Sequence, residues 1–309
     1  MSEIILHHYA ESPFAEKIRL ILGFKRLRYQ SVLVPMMLPK PDMIALTGGY
    51  RRAPMMQIGG DIYCDTALIA DVLERIQPEP TLYPQTHAAS ARILAAWADQ
   101  HLFAAGVGFA MQPEGFASMF ARYSAEHRAA FIEDRKAFRK GAPRMALHAA
   151  TAVLSQHLGQ FERQLSDGRS FLLGSDATLA DFAFFHPLWF IQQATAVAGF
   201  LSAYPRVMQW MQRVAAIGHG SPKPLSSAEA IEIARAGKMA ALRTEANPAP
   251  GPCLLGTSVT VAPTDYGIDP VAGELVAEYI NEWVVKRTEP RAGTVYVHFP
   301  RVGYQINGA

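Results

Sequence analysis

The sequence predicts a mixed α/β domain, then an all-α helical domain, then a small C-terminal β module. Three observations predict it. Residues 1–78 alternate short apolar runs with helical patterns. From Thr86 to about Leu225 the apolar residues recur at helical spacing, with hardly any strand signal. Past a proline-rich break at Asn247-Pro248-Ala249-Pro250-Gly251-Pro252, the residues turn β-branched and aromatic.

Residues 4–9 form an apolar run suited to a buried strand. Ser12-Pro13 follows as a helix start, with Ser as N-cap and Pro at the first helical position. Phe14, Ile18, Ile21 and Leu22 fall on one face of that helix. Residues 29–34 read as a second strand. After a Pro- and Met-rich loop at residues 35–41, a short helical piece leads to Gly48-Gly49. Residues 54–58 and 61–64 flank Gly59-Gly60 as a hairpin. Asp65-Thr66 then caps a helix whose apolar face is Leu68, Ile69, Val72, Leu73 and Ile76. The order is β-α-β-α-β-β-α, which is thioredoxin-like.

Gln77-Pro78-Glu79-Pro80 reads as a linker, and residues 86–246 as the all-helical domain, with a last helix expected over 226–242. Residues 253–309 are the β-rich extension. Strands are expected there at 258–261, 275–285 and 294–298, as a module of their own that could be cut off near Pro250 without loss of binding.

The bulk properties exclude several function classes. A chain of 309 residues, half of them hydrophobic and 18% charged, has room for two or three domains with large cores. A net charge of +2, with no run of Lys and Arg, advertises no nucleic-acid surface. The start Met1-Ser2-Glu3 lacks the basic and apolar regions of a secretory signal. The most apolar stretch, residues 179–200, is interrupted by Asp181, His186, Pro187, Gln192 and Gln193, which argues for a buried helix rather than a membrane span. Cys64 and Cys253 stand far apart, the usage of a reducing cytosol, and form no C-x-x-C. His7 and His8 are strand neighbours that point to opposite faces, and no other spacing suggests zinc, so no metal is expected. Gly106-Val107-Gly108 lacks the strand and third glycine of a dinucleotide loop.

Three constellations carry candidate chemistry. At Tyr9-Ala10-Glu11-Ser12-Pro13-Phe14, the N–H groups of a helix start favour an anion beside Ser12. A thiolate held there would accept the Ser12 hydroxyl, although the Glu11 charge opposes it. Lowering a thiol pKa by two units from about 8.5 needs roughly 2.7 kcal/mol. Taken singly, Ser12 also reads as an ordinary N-cap. In Arg52-Ala53-Pro54 the proline leads a strand; a cis bond there would turn the Ala53 N–H and C=O outward, able to pair with an extended peptide, while taken singly it reads as an edge-strand proline. At Asp65-Thr66 a helix N-terminus offers donors for a carboxylate, and the acidic side chain can hold an α-amino group. Plain capping is the alternative.

As a set, on one β-α-β-α-β-β-α frame, Ser12-Pro13-Phe14 with Lys17-Ile18-Arg19, then Ala53-Pro54 and Asp65-Thr66, resembles the N-terminal domain of glutathione S-transferases. Thr178-Leu179-Ala180-Asp181 is similar to the capping box of that family's central helix, which Pro187 is expected to bend. The resemblance implies that Ser12 activates the glutathione sulfur, with Tyr9 as runner-up. It implies that Ala53 with Pro54 pairs with the cysteinyl backbone, that Asp65 and Thr66 take the γ-glutamyl end, and that Lys40 holds the glycyl carboxylate, unless it is a solvated surface lysine. It further implies glutathione as co-substrate, a small apolar electrophile as second partner, a homodimer and a cytoplasmic location. The apolar cluster Phe103, Phe109, Met111, Phe116, Met119 and Phe120 is expected either to line the electrophile pocket or to pack the helices. A non-catalytic glutathione-binding or scaffold protein on the same fold is the alternative. A glutaredoxin-like enzyme would need a cysteine where Ser12 stands.

Overall fold

The computed structural model describes residues 3–243 and 251–308; most of the proline-rich break at 247–252 lies outside them. The first unit runs β1 (Ile4–His8), α1 (Pro13–Phe24), β2 (Arg28–Leu33), α2 (Pro41–Thr47), β3 (Met55–Ile58), β4 (Asp61–Cys64) and α3 (Thr66–Ile76). β1 pairs in parallel with β2 and antiparallel with β3, and β3 pairs antiparallel with β4. The order read from the sequence is the order observed.

Strand alternation divides the apolar residues between two cores. Leu6, Tyr29, Met56 and Tyr63 face α1, α3 and the helical domain. Ile5, Val32, Met55, Ile62 and Cys64 face the opposite side. Each position is deeply buried, so truncating Leu6 to alanine would cost about 2–5 kcal/mol. Cys64 is thus a core residue, with its thiol pushed well up by burial.

The helical domain comprises α4 (Ala88–Trp97), α5 (Phe103–Ala110), α6 (Pro113–Met119), α7 (Ala125–Arg139), α8 (Leu147–Gln164), α9 (Leu179–Gln193) and α10 (Pro205–Ala215), with a π-helical segment at Ala98–Leu102 joining α4 to α5. α9 is its axis, buried on almost all sides and holding Pro187 within it. The capping residue Asp181 accepts from Thr178 N–H at 2.9 Å and from its hydroxyl at 3.0 Å. It also accepts from Leu172 N–H at 2.8 Å and Trp210 Nε1 at 2.9 Å, which pins the start of α9 to α10. No helix of the described residues is long and apolar enough to cross a membrane.

The remainder departs from the sequence reading. Ser221–Pro224 forms a short strand, β5, parallel to β2. Its prolines hid it, yet an edge strand tolerates residues without an N–H. α11 (Ser227–Ala236) follows, capped reciprocally by Ser226 and Glu229. It packs through Ala230, Ile231 and Ala234 into the second core, not onto the helical domain in which the sequence boundary placed it. The extension then adds β6 (Ser258–Pro263), β7 (Val271–Glu278), β8 (Glu282–Glu289), β9 (Gly293–Pro300) and β10 (Tyr304–Gly308). The single run expected over 275–285 is two strands, because Tyr279 N–H closes a tight turn onto Glu282 C=O at 2.8 Å. β10 lies outside the three expected strands.

The extension is not a separate module either. β9 pairs in parallel with β4, and the described strands make one ten-stranded sheet in the order β10-β6-β7-β8-β9-β4-β3-β1-β2-β5. Arg287 donates to Ala45 C=O at 3.0 Å and Arg291 pairs with Asp42 at 2.5 Å, tying the extension to α2. Periodicity shows that a segment is strand, but it does not show which edge accepts it. The seam is held by a buried triad: His298 Nε2 lies 2.9 Å from Asp61 Oδ1 and Nδ1 2.6 Å from Glu282 Oε1. Its ring stacks on Tyr63 at 4.3 Å.

Candidate functional site

Ser12 stands where β1 hands over to α1. Its backbone is extended and its Oγ accepts the Ala15 N–H at 3.2 Å, so it is the N-cap of a twelve-residue helix. The same hydroxyl donates to Ala53 C=O at 3.4 Å. This long bond brings together two candidates that are 41 residues apart. Ser12 is 1% exposed, which keeps water from competing for its hydroxyl. The Ala53-Pro54 peptide is cis. Glu11 does not leave an uncompensated charge here, since it pairs with Arg122 and accepts the Tyr123 hydroxyl at 3.0 Å.

Tyr9 lies just past β1 with its ring half-buried against the second core. The Lys40 ammonium sits 5.5 Å from the ring centroid. Lys40 is not a solvated lysine: it is 4% exposed and donates to Arg51 C=O at 3.3 Å. Burial, and then the neighbouring Arg135 and Arg51 charges, push its pKa down to about 8 against the pull of Asp134. Asp134 serves Arg51 at 2.8 Å and Arg135 at 3.5 Å, so two guanidinium groups already share this carboxylate beside the Lys40 ammonium. Such a pocket is suited to a further anion.

Asp65 caps α3 with Oδ1 accepting the Ala67 N–H at 2.9 Å. Its φ of 76° is one that side-chain-bearing residues rarely adopt. Burial raises its carboxyl above the ordinary range, opposed by the Ala67 N–H and by Arg52. Thr66 Oγ1 accepts from Lys17 Nζ at 3.2 Å. An ammonium only donates, so the Thr66 hydroxyl keeps its own hydrogen for another acceptor.

Behind Thr66 lies a network that sequence reading missed. Lys17, wholly buried, pairs with Asp99 Oδ2 at 2.5 Å, and Asp99 Oδ1 meets His186 Nε2 at 2.9 Å. Burial works to raise the Asp99 carboxyl, but Lys17 and His186 outweigh it and hold it low. Asp99 sits on the π-helical segment and His186 on α9, so these contacts lock the helical domain against the start of α1. Lys17 was visible as part of Lys17-Ile18-Arg19, whereas nothing local marked Asp99 or His186.

The apolar cluster splits. Phe103 packs on Phe14 beside Ser12 at 4.6 Å. Phe116 and Phe120 stack at 4.6 Å on the α6–α7 side, where Tyr123 reaches Glu11. Phe109 packs on Phe200 at 4.6 Å within the helical core. Phe103 therefore packs on the first turn of α1, Phe120 packs on Tyr123 at 5.6 Å, and Phe109 serves the helical core.

The extension also reaches this region. Arg52 pairs with Asp265 and with Tyr266 C=O, and its guanidinium stacks 4.0 Å above the Tyr266 ring. From β10, the Tyr304 hydroxyl approaches Asp65 Oδ2 at 3.2 Å and the Tyr50 hydroxyl at 3.3 Å. Among the described residues no group of three or more His, Cys, Asp or Glu side chains is arranged to hold a metal ion.

Comparison with known proteins places this geometry in context. Residues 6–81 match the glutathione S-transferase N-terminal domain and residues 144–213 the C-terminal domain. A GST-like protein from Pseudomonas syringae is 41% identical with a TM-score of 0.85, over 100% of both chains, so the likeness includes the β-rich extension. A glutathione S-transferase from Rhodospirillum rubrum F11 is 25% identical over 69% of this chain and 88% of its own, with a TM-score of 0.53. The curated FtsZ-localized protein A of Caulobacter vibrioides (strain NA1000 / CB15N) is 27% identical over 187 residues, 59% of this chain and 74% of that protein.

Proposed function

The chain belongs to the glutathione S-transferase family, and on that premise we propose that it binds glutathione, stabilises its thiolate with Ser12 and transfers the sulfur to a small apolar electrophile. The observation that carries this reading is the position of Ser12 Oγ, buried at the start of α1 and within reach of Ala53 C=O. In the proposed complex the Ala53 backbone pairs with the cysteinyl residue, and the ligand sulfur takes the place of Ala53 C=O as acceptor of the Ser12 hydroxyl. Asp65 receives the α-ammonium of the γ-glutamyl end, Thr66 gives its hydroxyl hydrogen to the α-carboxylate, and Lys40 meets the glycyl carboxylate.

The thiol loses its proton to water on binding. The thiolate then attacks the electrophilic carbon, forming the S–C bond while the leaving group departs with its bonding pair. Ser12 and the helix N-terminus stabilise the anion, and immobilisation beside the electrophile supplies proximity. A cytoplasmic homodimer goes with this reading, and size-exclusion chromatography tests the dimer.

The similarity to FtsZ-localized protein A favours a second reading, a glutathione-binding or scaffold protein without turnover. Calorimetry with glutathione, followed by turnover of a chloronitroaromatic electrophile, separates the two. Binding with saturable turnover supports the enzyme, binding without turnover the scaffold, and no binding removes both.

A further inference from the structure

The extension makes two contacts with the candidate site that no composition or local pattern announced. Tyr304, at the start of β10, is 7% exposed, and its hydroxyl lies 3.2 Å from Asp65 Oδ2 and 3.3 Å from the Tyr50 hydroxyl. A phenol has one proton and a carboxylate accepts only. The Tyr304 hydroxyl is the donor in both contacts, so its one hydrogen is shared between Asp65 Oδ2 and the Tyr50 oxygen. Asp65 is then held from both sides, with Oδ1 on the Ala67 N–H and Oδ2 on the Tyr304 hydroxyl. Each carboxylate oxygen has a second lone pair left for a ligand.

The other contact is a strap, residues 264–270, between β6 and β7. Its near side holds Arg52, the residue before Ala53-Pro54, through Asp265 and Tyr266. Its far side is fixed to the end of α7: the Gly267 N–H donates to Phe138 C=O at 2.8 Å, and Lys140 pairs with Asp269 at 3.2 Å. The strap thus bridges the cis-proline loop and the helical domain.

We propose that the β-rich extension is a working part of the ligand site, with Tyr304 as a positioning residue that aims Asp65 at the α-ammonium of the ligand. This rests on the glutathione reading above. Tyr304 itself does not touch the reacting sulfur. It fixes the orientation of the carboxylate and favours its ionised form, since a donated hydrogen bond stabilises the charge. The structure thereby assigns to the extension a preference for a γ-glutamyl thiol with a free α-amino group.

The test titrates the full chain calorimetrically with glutathione and with glutaryl-cysteinyl-glycine, which lacks only the α-amino group. Wild type is expected to prefer glutathione. Tyr304→Phe keeps the ring and should weaken glutathione binding about tenfold, leave the deaminated peptide almost unchanged, and move the acid limb of the binding–pH profile upward. Tyr50→Phe removes the competing acceptor, leaves the Tyr304 hydrogen to Asp65 alone, and should leave glutathione binding at least as tight as in wild type. Unchanged affinity and preference in Tyr304→Phe overturn the inference while leaving glutathione binding intact, as does equal weakening toward both peptides. Failure of wild type to bind glutathione overturns the underlying reading and this inference with it.

Discussion

Removing the imidazole of His298 should loosen the strand junction on which the extension depends. The ring is buried between Asp61 and Glu282, which are 2% and 1% exposed, at 2.9 and 2.6 Å. Breaking such a buried pair typically costs about 3–5 kcal/mol, because the partner charges stay buried. Here Asp61 keeps the Ala240 N–H at 2.6 Å, and Glu282 keeps Arg243 at 2.7 Å. His298→Leu should therefore fall at the lower end, about 3 kcal/mol, or about two orders of magnitude in a local opening constant.

The reporter is the Tyr296 amide, which donates to Gly60 C=O at 3.0 Å across the seam. Native-state hydrogen exchange reads its opening without requiring a two-state unfolding of the whole chain. The sign of the pH dependence follows from His298. Burial opposes its charge, yet the bonds to Asp61 and Glu282 outweigh burial and raise its pKa above the ordinary 6.5. Its contribution is therefore complete below that ordinary value and is lost as pH rises through the folded one. Tyr296 protection in wild type should fall as pH rises above the ordinary 6.5 and through the raised folded pKa, and the gap to His298→Leu should narrow over the same range. Equal protection in wild type and variant at the lower pH would refute the reasoning.

Asp65→Ala should weaken glutathione binding by about 2 kcal/mol, the scale of a lost charged hydrogen bond; unchanged calorimetric affinity would remove Asp65 from the site. Because the Lys40 pKa is pushed down to about 8, its charge is lost as pH rises through that value, and affinity for the dianionic peptide should fall with it. Lys40→Arg should flatten that step, and an undiminished step in this variant would assign it elsewhere.

Legibility followed sequence distance. Ser12 and Asp65 announce themselves because capping is local: each bonds an N–H two or three residues ahead. The strand alternation of Ile5 and Leu6 is similarly local, and the thioredoxin-like order follows from it. Tyr304, by contrast, meets Asp65 across 239 residues, and His298 meets Asp61 across 237. Such contacts exist only once the sheet has chosen its edges, and no pattern in residues 253–309 says that β9 will join β4. Lys17 and Asp99, 82 residues apart, are hidden for the same reason. Lys40 was visible as a loop lysine, but its burial was not, since that depends on α7 lying across the loop.

The central claim, that Ser12 stabilises a glutathione thiolate, is tested most directly by the thiolate absorbance of bound glutathione against pH. The account predicts that wild type lowers the thiol pKa roughly two units below about 8.5. Ser12→Ala should return most of that shift and cut turnover about 10²-fold, the loss of one preorganised donor. The lost N-cap should also cost about 1 kcal/mol of stability, so the comparison belongs well below the melting temperature. Tyr9→Phe should leave the curve in place. A curve moved by Tyr9→Phe and untouched by Ser12→Ala would contradict the account.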